Sequence, residues 1–212
     1  ALTASAHTRF ARATVRPHWR AHDLPVCWHK HSRTDGRDAK AEEDMMGYTL
    51  EALANDIRST LKSGAVSETG PKVAALVEKA LKDKAFVQTN LGRPNMKTRE
   101  VIYEDPETGF CVCAHTYEGA ATSPAHDHGP SWAIYGQAEG VTEMTDWKII
   151  KKGAGEEPSL VEAIRTYKLE PGMAKFYDVG AVHSPKRDSA TKLIRIEGKN
   201  LDTVKRSNIK VA

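Results

Sequence analysis

Apolar residues recur at helical spacing in the first half of the chain. One stripe is formed by Leu50, Leu53, Ile57 and Leu61, at steps of three and four residues, which is the spacing of one helix face. Gly64 and the polar stretch up to Gly70 are expected to end this helix. Pro71 then opens a second amphipathic helix, with apolar positions Val73, Leu76, Val77, Ala80 and Leu81. Since each helix has a single apolar face, both are expected to lie against a larger body.

From Arg99 onward the pattern changes to short stretches of β-forming residues. We predict strands at 100–103, 110–117, 132–137, 141–150, 163–169, 173–177 and 192–197. The segments between them carry turn signals, as from Asp105 to Gly109 and at Pro171-Gly172. Many short strands at this spacing are typical of an all-β sandwich or barrel. The pattern therefore predicts two helices followed by a barrel.

The composition agrees with this fold prediction and excludes some classes of function. The 212 residues suffice for one well-buried domain with an appendage, and 40% apolar and 28% charged residues are ordinary for a globular protein. No run of about 18 apolar residues is present, so no membrane span is predicted. The net charge of +3 is too small to indicate nucleic acid binding. The three cysteines, Cys27, Cys111 and Cys113, have no disulfide-framework spacing, which favours a reduced, cytoplasmic protein.

The first 44 residues differ from the rest of the chain. They hold five of the nine histidines and many arginines, and they lack the apolar core of a signal peptide. We interpret 1–44 as an Arg/His-rich N-terminal extension outside the core fold, with Met45-Met46 as a natural start of the folded part. Residues 45–92 are the predicted helical segment that packs on the barrel, and 93–212 are the predicted barrel.

Candidate chemistry is concentrated at His126-Asp127-His128. Side chains alternate along a strand, so the two histidines point to one face and Asp127 points to the other. Two imidazoles that project together can each donate a ring nitrogen to one divalent cation. Pro124 before the motif and Gly129-Pro130 after it indicate a strand end, near the mouth of a barrel. A His-x-His alone is a weak signal, because surface and packing histidines are common.

A second motif strengthens the first. Pro171-Gly172, a predicted strand and Gly180 lead to His183, which stands 55 residues after His128. Together the motifs resemble those of the cupin family, in which His-x-His with a closing glycine is followed by Pro-Gly, a strand and a single histidine. The resemblance covers roughly 99–197. It implies a cupin double-stranded β-helix, a jelly-roll barrel, that binds one metal through His126, His128 and His183.

One departure from many cupins concerns a fourth ligand. Those proteins have a glutamate four or five residues after the second histidine, whereas this chain has Trp132 and Ala133 there. Three neutral imidazoles leave the double charge of the ion uncompensated and several coordination positions open. Such a site favours an anionic, chelating substrate and leaves room for dioxygen, as in the three-histidine iron dioxygenases. We therefore expect Fe(II), that is Fe²⁺, with Ni²⁺, Mn²⁺ and Zn²⁺ as alternatives.

Within that group the chain is most similar to the cysteine dioxygenase-like thiol dioxygenases. Arg99 precedes a strand and a polar turn that ends at Phe110, in the position of the arginine that holds the substrate carboxylate in that family. A guanidinium fork matches a carboxylate, although a surface salt bridge is the commoner role of an arginine. Ala133 stands in place of the family's cross-linking cysteine, and Ile196 or Glu197 in place of its tyrosine partner, so no thioether is expected.

Other residues near the motifs are candidate parts of a pocket. We expect Trp132 and Tyr135, which follow the first motif closely, to bind substrate together with Arg99. Tyr177 is a candidate catalytic residue that handles a proton, and the common alternative is a buried tyrosine with a satisfied hydroxyl. His115 is either a neighbour of the metal site or a packing residue.

These features predict a mononuclear non-haem Fe(II) dioxygenase, an oxidoreductase that uses O₂ on a small anionic or chelating organic substrate. The expected partners are that small molecule and O₂, with no nucleic acid and no membrane, and a homodimer is one possible assembly. Two alternatives stay open. A cupin of this geometry can be a non-redox lyase or isomerase in which the metal is a Lewis acid, or a metal-binding module without catalysis.

Overall fold

Three helices precede ten strands in the computed structural model, which describes residues 47–212. The helices are α1 (Leu50–Leu61), α2 (Val66–Lys82) and α3 (Lys84–Leu91). The strands are β1 (Arg99–Glu104), β2 (Cys111–Tyr117), β3 (Ala121–Thr122), β4 (Ala133–Glu139), β5 (Thr142–Lys151), β6 (Ser159–Leu169), β7 (Ala174–Tyr177), β8 (Val182–Arg187), β9 (Thr191–Glu197) and β10 (Ile209–Val211). A 3-10 helix, Leu201–Thr203, follows β9. The predicted extension and Cys27 lie outside the described residues.

The helical part corrects the prediction in two ways. Between residues 47 and 98 there are three helices rather than two, because the side chain of Asp83 accepts hydrogen bonds from the backbone of Ala85 and Phe86 and so begins α3. Helix α2 begins at Val66 and not at Pro71. Gly70 lies inside α2 and does not end a helix. A Cβ at this position would collide with the ring of Phe176 on β7. The glycine marks a close approach of sheet to helix.

None of the helices between residues 47 and 212 combines the length and the apolarity needed to cross a bilayer.

The strands form two five-stranded sheets. The orders are β1-β2-β9-β4-β7 in the first sheet and β10-β6-β5-β8-β3 in the second. All ladders are antiparallel except the short pairing of β10 with β6. Strands far apart in the sequence, such as β2 and β9 or β5 and β8, are therefore neighbours. This mainly β arrangement of two five-stranded sheets is a double-stranded β-helix, and the predicted fold class is confirmed.

All seven predicted strands are present with shifted ends, and three further strands were missed. The missed strands are β3, β8 and β10. Of these, β8 matters most because it carries His183. Its sequence, Val-His-Ser-Pro-Lys-Arg, contains Pro185, which lowers the strand signal. Backbone pairing with β5 on one side and β3 on the other nevertheless holds it in the sheet.

The two faces of the first sheet are used differently. Residues such as Val112, Ile134 and Ile194 pack with the buried faces of α1 and α2 in one large apolar core. Their sequence neighbours point the other way, and Tyr135 and Leu193 meet Met144 of the second sheet. The main core therefore lies outside the barrel, between helices and sheet. This leaves the interior of the barrel free to carry polar side chains.

Contacts across the sequence fix the helices to the barrel. The Nε atom of Arg58 on α1 donates to Oδ2 of Asp105 over 2.7 Å. The other oxygen of Asp105 accepts from the backbone N–H groups of Glu107 and Thr108, so the same carboxylate shapes the β1–β2 turn. On the opposite side, Gly136 of β4 lies so close to α2 that an added Cβ would be 2.5 Å from Val77.

Candidate metal centre

Two segments meet to form the centre, one before β4 and the other on β8. His126 and His183 exchange both backbone hydrogen bonds, each 3.0 Å long, in an isolated antiparallel bridge. His128 lies two residues further on, and its side chain points the same way as that of His126. Asp127 points away, where its carboxylate accepts from the backbone N–H groups of Gly129 and Ser207. The alternation expected from the sequence is therefore present.

The three imidazoles converge inside the barrel. Ring centroids are 4.7 Å apart for His126 and His183, 4.8 Å for His128 and His183, and 5.6 Å for His126 and His128. The exposed fractions of these residues are 8% for His126, 1% for His128 and 0% for His183. One nitrogen from each ring can be chosen so that all three lie within 4.8 Å of one another. Such a group could hold a metal ion.

The hydrogen bonding of the rings fits a metal. Nδ1 of His126 lies 2.8 Å from the carbonyl oxygen of Pro124, so this nitrogen carries the proton and Nε2 is free to act as a ligand. Nδ1 of His128 and both nitrogens of His183 are buried without a hydrogen-bond partner. Buried unpaired polar atoms are costly, and coordination would satisfy one of them in each of these two rings. With metal–nitrogen bonds of about 2.1 Å, two ligands are at most about 4.2 Å apart, so binding would draw the rings slightly together.

The histidines are also in the protonation state that metals require. Burial lowers the pKa of His126 to about 4, against a small opposing effect of the Pro124 carbonyl. Burial lowers the pKa of His128 and His183 further, and each is also disfavoured as a cation by a neighbouring histidine. All three rings are therefore neutral near pH 7, and neutral imidazole is the ligand form.

Two predicted residues, Tyr135 and Tyr177, lie against the histidines. The hydroxyl of Tyr135 is 3.3 Å from Nε2 of His128, and it accepts from Arg195 over 3.5 Å. The ring of Tyr177 stacks on His183 with centroids 3.9 Å apart. Its hydroxyl points away and shares a 2.6 Å hydrogen bond with Tyr167. Tyr135 thus presents its hydroxyl to the centre, whereas Tyr177 supports the ring of the predicted ligand His183.

Arg99 lines the cavity to which His126 also contributes. Its guanidinium is, however, already paired with side chains of the protein. It contacts both oxygens of Glu197, the side-chain oxygen of Asn200 at 3.0 Å and the carboxylate of Asp202. Glu197 is completely buried, and its Oε1 atom also accepts hydrogen bonds from Nε and Nη2 of Arg195. Arg99 therefore ties β1 to the end of β9, and its charge is neutralised by carboxylates of the protein itself.

Trp132 does not lie in the cavity, so its predicted role in binding substrate is corrected. Its ring is part of the apolar core between helices and sheet, 6.3 Å from the ring of Phe176. The reason is the alternation of side chains. Since Ala133 and Tyr135 face the interior, Trp132 and Ile134 face the helices.

A cavity of about 240 Å³ lies beside the centre; His126 is the one of the three histidines that lines it, and its wall includes four arginines. Its polar lining includes His126, Tyr135 and Tyr117, together with residues that the sequence did not single out or left undecided: His115, Arg187, Arg195 and Arg206. Within residues 47–212, no aspartate or glutamate lines it. A wider cleft of about 510 Å³ beside Tyr48 has no histidine or cysteine in its wall. The chemistry therefore singles out the smaller cavity.

Sequence comparison adds nothing to this description. No family model matches the chain, and no curated protein matches it either.

Solved structures similar to this chain include proteins with a cupin or double-stranded β-helix domain. A conserved protein with a double-stranded β-helix domain from Klebsiella pneumoniae has a TM-score of 0.39 and 12% identity, covering 58% of this chain and 88% of that one. The Cnp3 cupin domain of Schizosaccharomyces pombe has a TM-score of 0.36 and 12% identity, covering 48% and 64%. The DMSP lyase DddQ of Ruegeria pomeroyi has a TM-score of 0.34 and 17% identity, covering 46% and 42%. At these scores the matches carry no weight for function.

Proposed function

We propose that this protein is a mononuclear non-haem Fe(II) dioxygenase that acts on a small anionic, chelating organic substrate. The observation that carries the proposal is the convergence of three buried, neutral histidines, two of them with unpaired nitrogens, beside a cavity whose wall holds His126 and four arginines. His126, His128 and His183 would hold the ion. An Fe²⁺ ion held there would supply a redox-active centre where dioxygen and a chelating group of the substrate can both bind.

The residues around the centre suit this chemistry. The three ligands bring no negative charge, so the substrate is left to provide it. The arginines of the cavity attract an anion. Tyr135 can hold or pass a proton at its hydroxyl oxygen, 3.3 Å from His128. The burial of the histidines keeps bulk water away, which strengthens these electrostatic effects.

The test is metal analysis combined with oxygen consumption. The full chain is loaded anaerobically with Fe²⁺. Oxygen uptake is then measured with thiols, β-diketones and hydroxy acids as candidate substrates, and also with no substrate added. We expect one metal per chain and oxygen uptake only when a chelating anion is present. His115→Ala is the matched control for His183→Ala, because both remove a buried imidazole and only His183 belongs to the predicted ligand set.

Two outcomes would contradict the proposal. If Zn²⁺ or Ni²⁺ supports turnover without loss of oxygen, the Lewis-acid lyase or isomerase takes its place. If no metal binds, or if His183→Ala binds metal as well as His115→Ala does, the three-histidine centre itself is wrong.

A further inference from the structure

Arg187 is placed on the interior face of the barrel by the strand that carries His183. Along β8, His183, Pro185 and Arg187 are buried, whereas Lys186 is exposed. Side chains alternate along a strand, so Arg187 shares the face of the predicted metal ligand. The two Cα atoms are four residues apart, or about 13 Å along the strand. Arg187 therefore stands on the same inner wall of the barrel as His183, and it lines the cavity to which His126 also contributes.

This arginine lacks the partner that a buried charge normally has. It is 2% exposed, and its Nε atom has no hydrogen-bond partner. Within residues 47–212 it forms no ion pair, in contrast to Arg99 and Arg195, which share Glu197. Burial lowers the pKa of Arg187, and the nearby Arg195 lowers it further. A buried and unpaired guanidinium is costly, which indicates that its partner is a ligand.

The surroundings of the guanidinium limit the shape of that ligand. Its central carbon lies 4.2 Å from the centroid of the Tyr117 ring, so an aromatic side chain closes one side of the guanidinium. The donors of a guanidinium lie in its plane and match the two oxygens of a carboxylate. With one side closed, an in-plane approach is favoured. This geometry suits a planar carboxylate better than a tetrahedral phosphate.

The charges around the cavity also favour an anionic ligand. Four arginines line it, Arg99, Arg187, Arg195 and Arg206, and two carboxylates pair with them, Glu197 and Asp202. Four positive and two negative charges leave a surplus of two positive charges. His115, on the same wall, has a buried Nε2 without a partner. Burial and the nearby arginines lower the pKa of His115, so it adds a neutral polar group and no compensating charge.

The cavity is also small. Its volume of about 240 Å³ is below the roughly 300–1,000 Å³ of ordinary ligand pockets, so a ligand held there has to be small. We propose that this cavity binds a small organic acid whose carboxylate pairs with Arg187, while the opposite end of the molecule lies at His126, on the side of the predicted metal centre. The carboxylate anchor is thereby Arg187 and not the already paired Arg99. Only the placement of the second end rests on the proposed function.

The test measures anion binding to the full chain by calorimetry, both after chelation of metals and with Zn²⁺ added. The probes are succinate, acetate and inorganic phosphate. We expect succinate to bind in both forms and more tightly than phosphate. Arg187→Met keeps the length of the side chain without its charge and should weaken succinate binding about 10- to 100-fold. Arg187→Lys keeps the charge without the fork, so its affinity for succinate should lie between those of the wild type and Arg187→Met.

Lys186→Met is the matched control, since it removes a positive charge from the next residue on the outer face of the same strand and should leave binding unchanged. Thermal unfolding supplies a second measurement. Without anions, Arg187→Met should melt at the same or a higher temperature than the wild type, because it removes an uncompensated buried charge.

Several results would overturn the proposal: no binding of succinate to the wild type, tighter binding of phosphate, or equal losses in Arg187→Met and Lys186→Met. A lower melting temperature of Arg187→Met with unchanged succinate binding would make Arg187 a packing residue. Because binding is measured without iron or oxygen, its failure is distinguishable from failure of the dioxygenase proposal.

Discussion

Glu197 stabilises the polar interior of the barrel, and its replacement by glutamine should be costly. The carboxylate is fully buried, accepts from Arg195 Nε over 2.7 Å and from Arg99 over 2.7 Å, and also accepts from the backbone N–H of Leu201 over 3.0 Å. Glu197→Gln leaves the buried Arg195 without a compensating charge. Breaking a buried ion pair costs about 3–5 kcal/mol. We expect the lower end, about 3 kcal/mol, because Arg99 keeps Asp202 as a second partner.

The assay is urea unfolding at pH 7, supported by the melting temperature. For a chain of this length, about 3 kcal/mol lowers the melting temperature by about 6–12 °C. Glu139→Gln is the control, because Glu139 makes a salt bridge with Lys192 in which its side chain is 52% exposed. A surface pair of this kind contributes about 0–1 kcal/mol. If Glu197→Gln costs no more free energy of unfolding than Glu139→Gln does, the stabilising role assigned to this carboxylate is refuted.

The same carboxylate predicts a pH dependence. Burial alone would raise the pKa of Glu197, but Arg195 and Arg99 outweigh it, so the pKa in the folded state is lowered. The pKa of an unfolded glutamate is about 4.3. A carboxylate with a lowered folded pKa stabilises the protein above its unfolded pKa, and this is lost as the pH falls through the folded value. The difference in stability between wild type and Glu197→Gln should therefore shrink in acid. A difference that grows on acidification would contradict this account.

Three further predictions concern the centre and the helical layer. His183→Ala should abolish metal binding and turnover, as seen by metal analysis, while His115→Ala retains the metal. Gly136→Val should lower the melting temperature strongly, since a Cβ there would lie 2.5 Å from Val77, and overpacking costs about 1–3 kcal/mol. Asp105→Asn should destabilise the protein at pH 7, and the loss should shrink as the pH falls below about 4. Burial alone would raise the pKa of Asp105, but hydrogen bonds from the β1–β2 turn and Arg58 lower it, so its stabilisation is lost in acid.

The barrel and the three histidines could be predicted because their signals are local. Short β-forming stretches between turn residues indicate a β-domain whatever their pairing. Alternation along an extended segment places His126 and His128 on one side and Asp127 on the other, and the structure has them so. The second motif located His183 by its order after Pro171-Gly172. In these cases a few adjacent residues carry the information.

The third helix and the start of α2 could have been predicted from nearby residues, but the prediction was wrong in both cases. Asp83 is an N-cap residue, which is a recognisable signal. Gly70 was read as a helix end, yet its smallness serves contact with Phe176, more than 100 residues later. A glycine that ends a helix and a glycine that admits a neighbour look alike until the neighbour is known.

The roles of the arginines were decided only by the tertiary structure. The sequence by itself determined that Arg99 precedes the barrel and that a guanidinium suits a carboxylate. It did not determine that Glu197 and Asp202, about 100 residues later, would neutralise that guanidinium. Nor did it determine that β8 forms a strand despite its proline and turns Arg187 inward without a partner. The charge available to a ligand depends on which buried groups are paired, and pairing between distant strands is a property of the fold rather than of any local pattern.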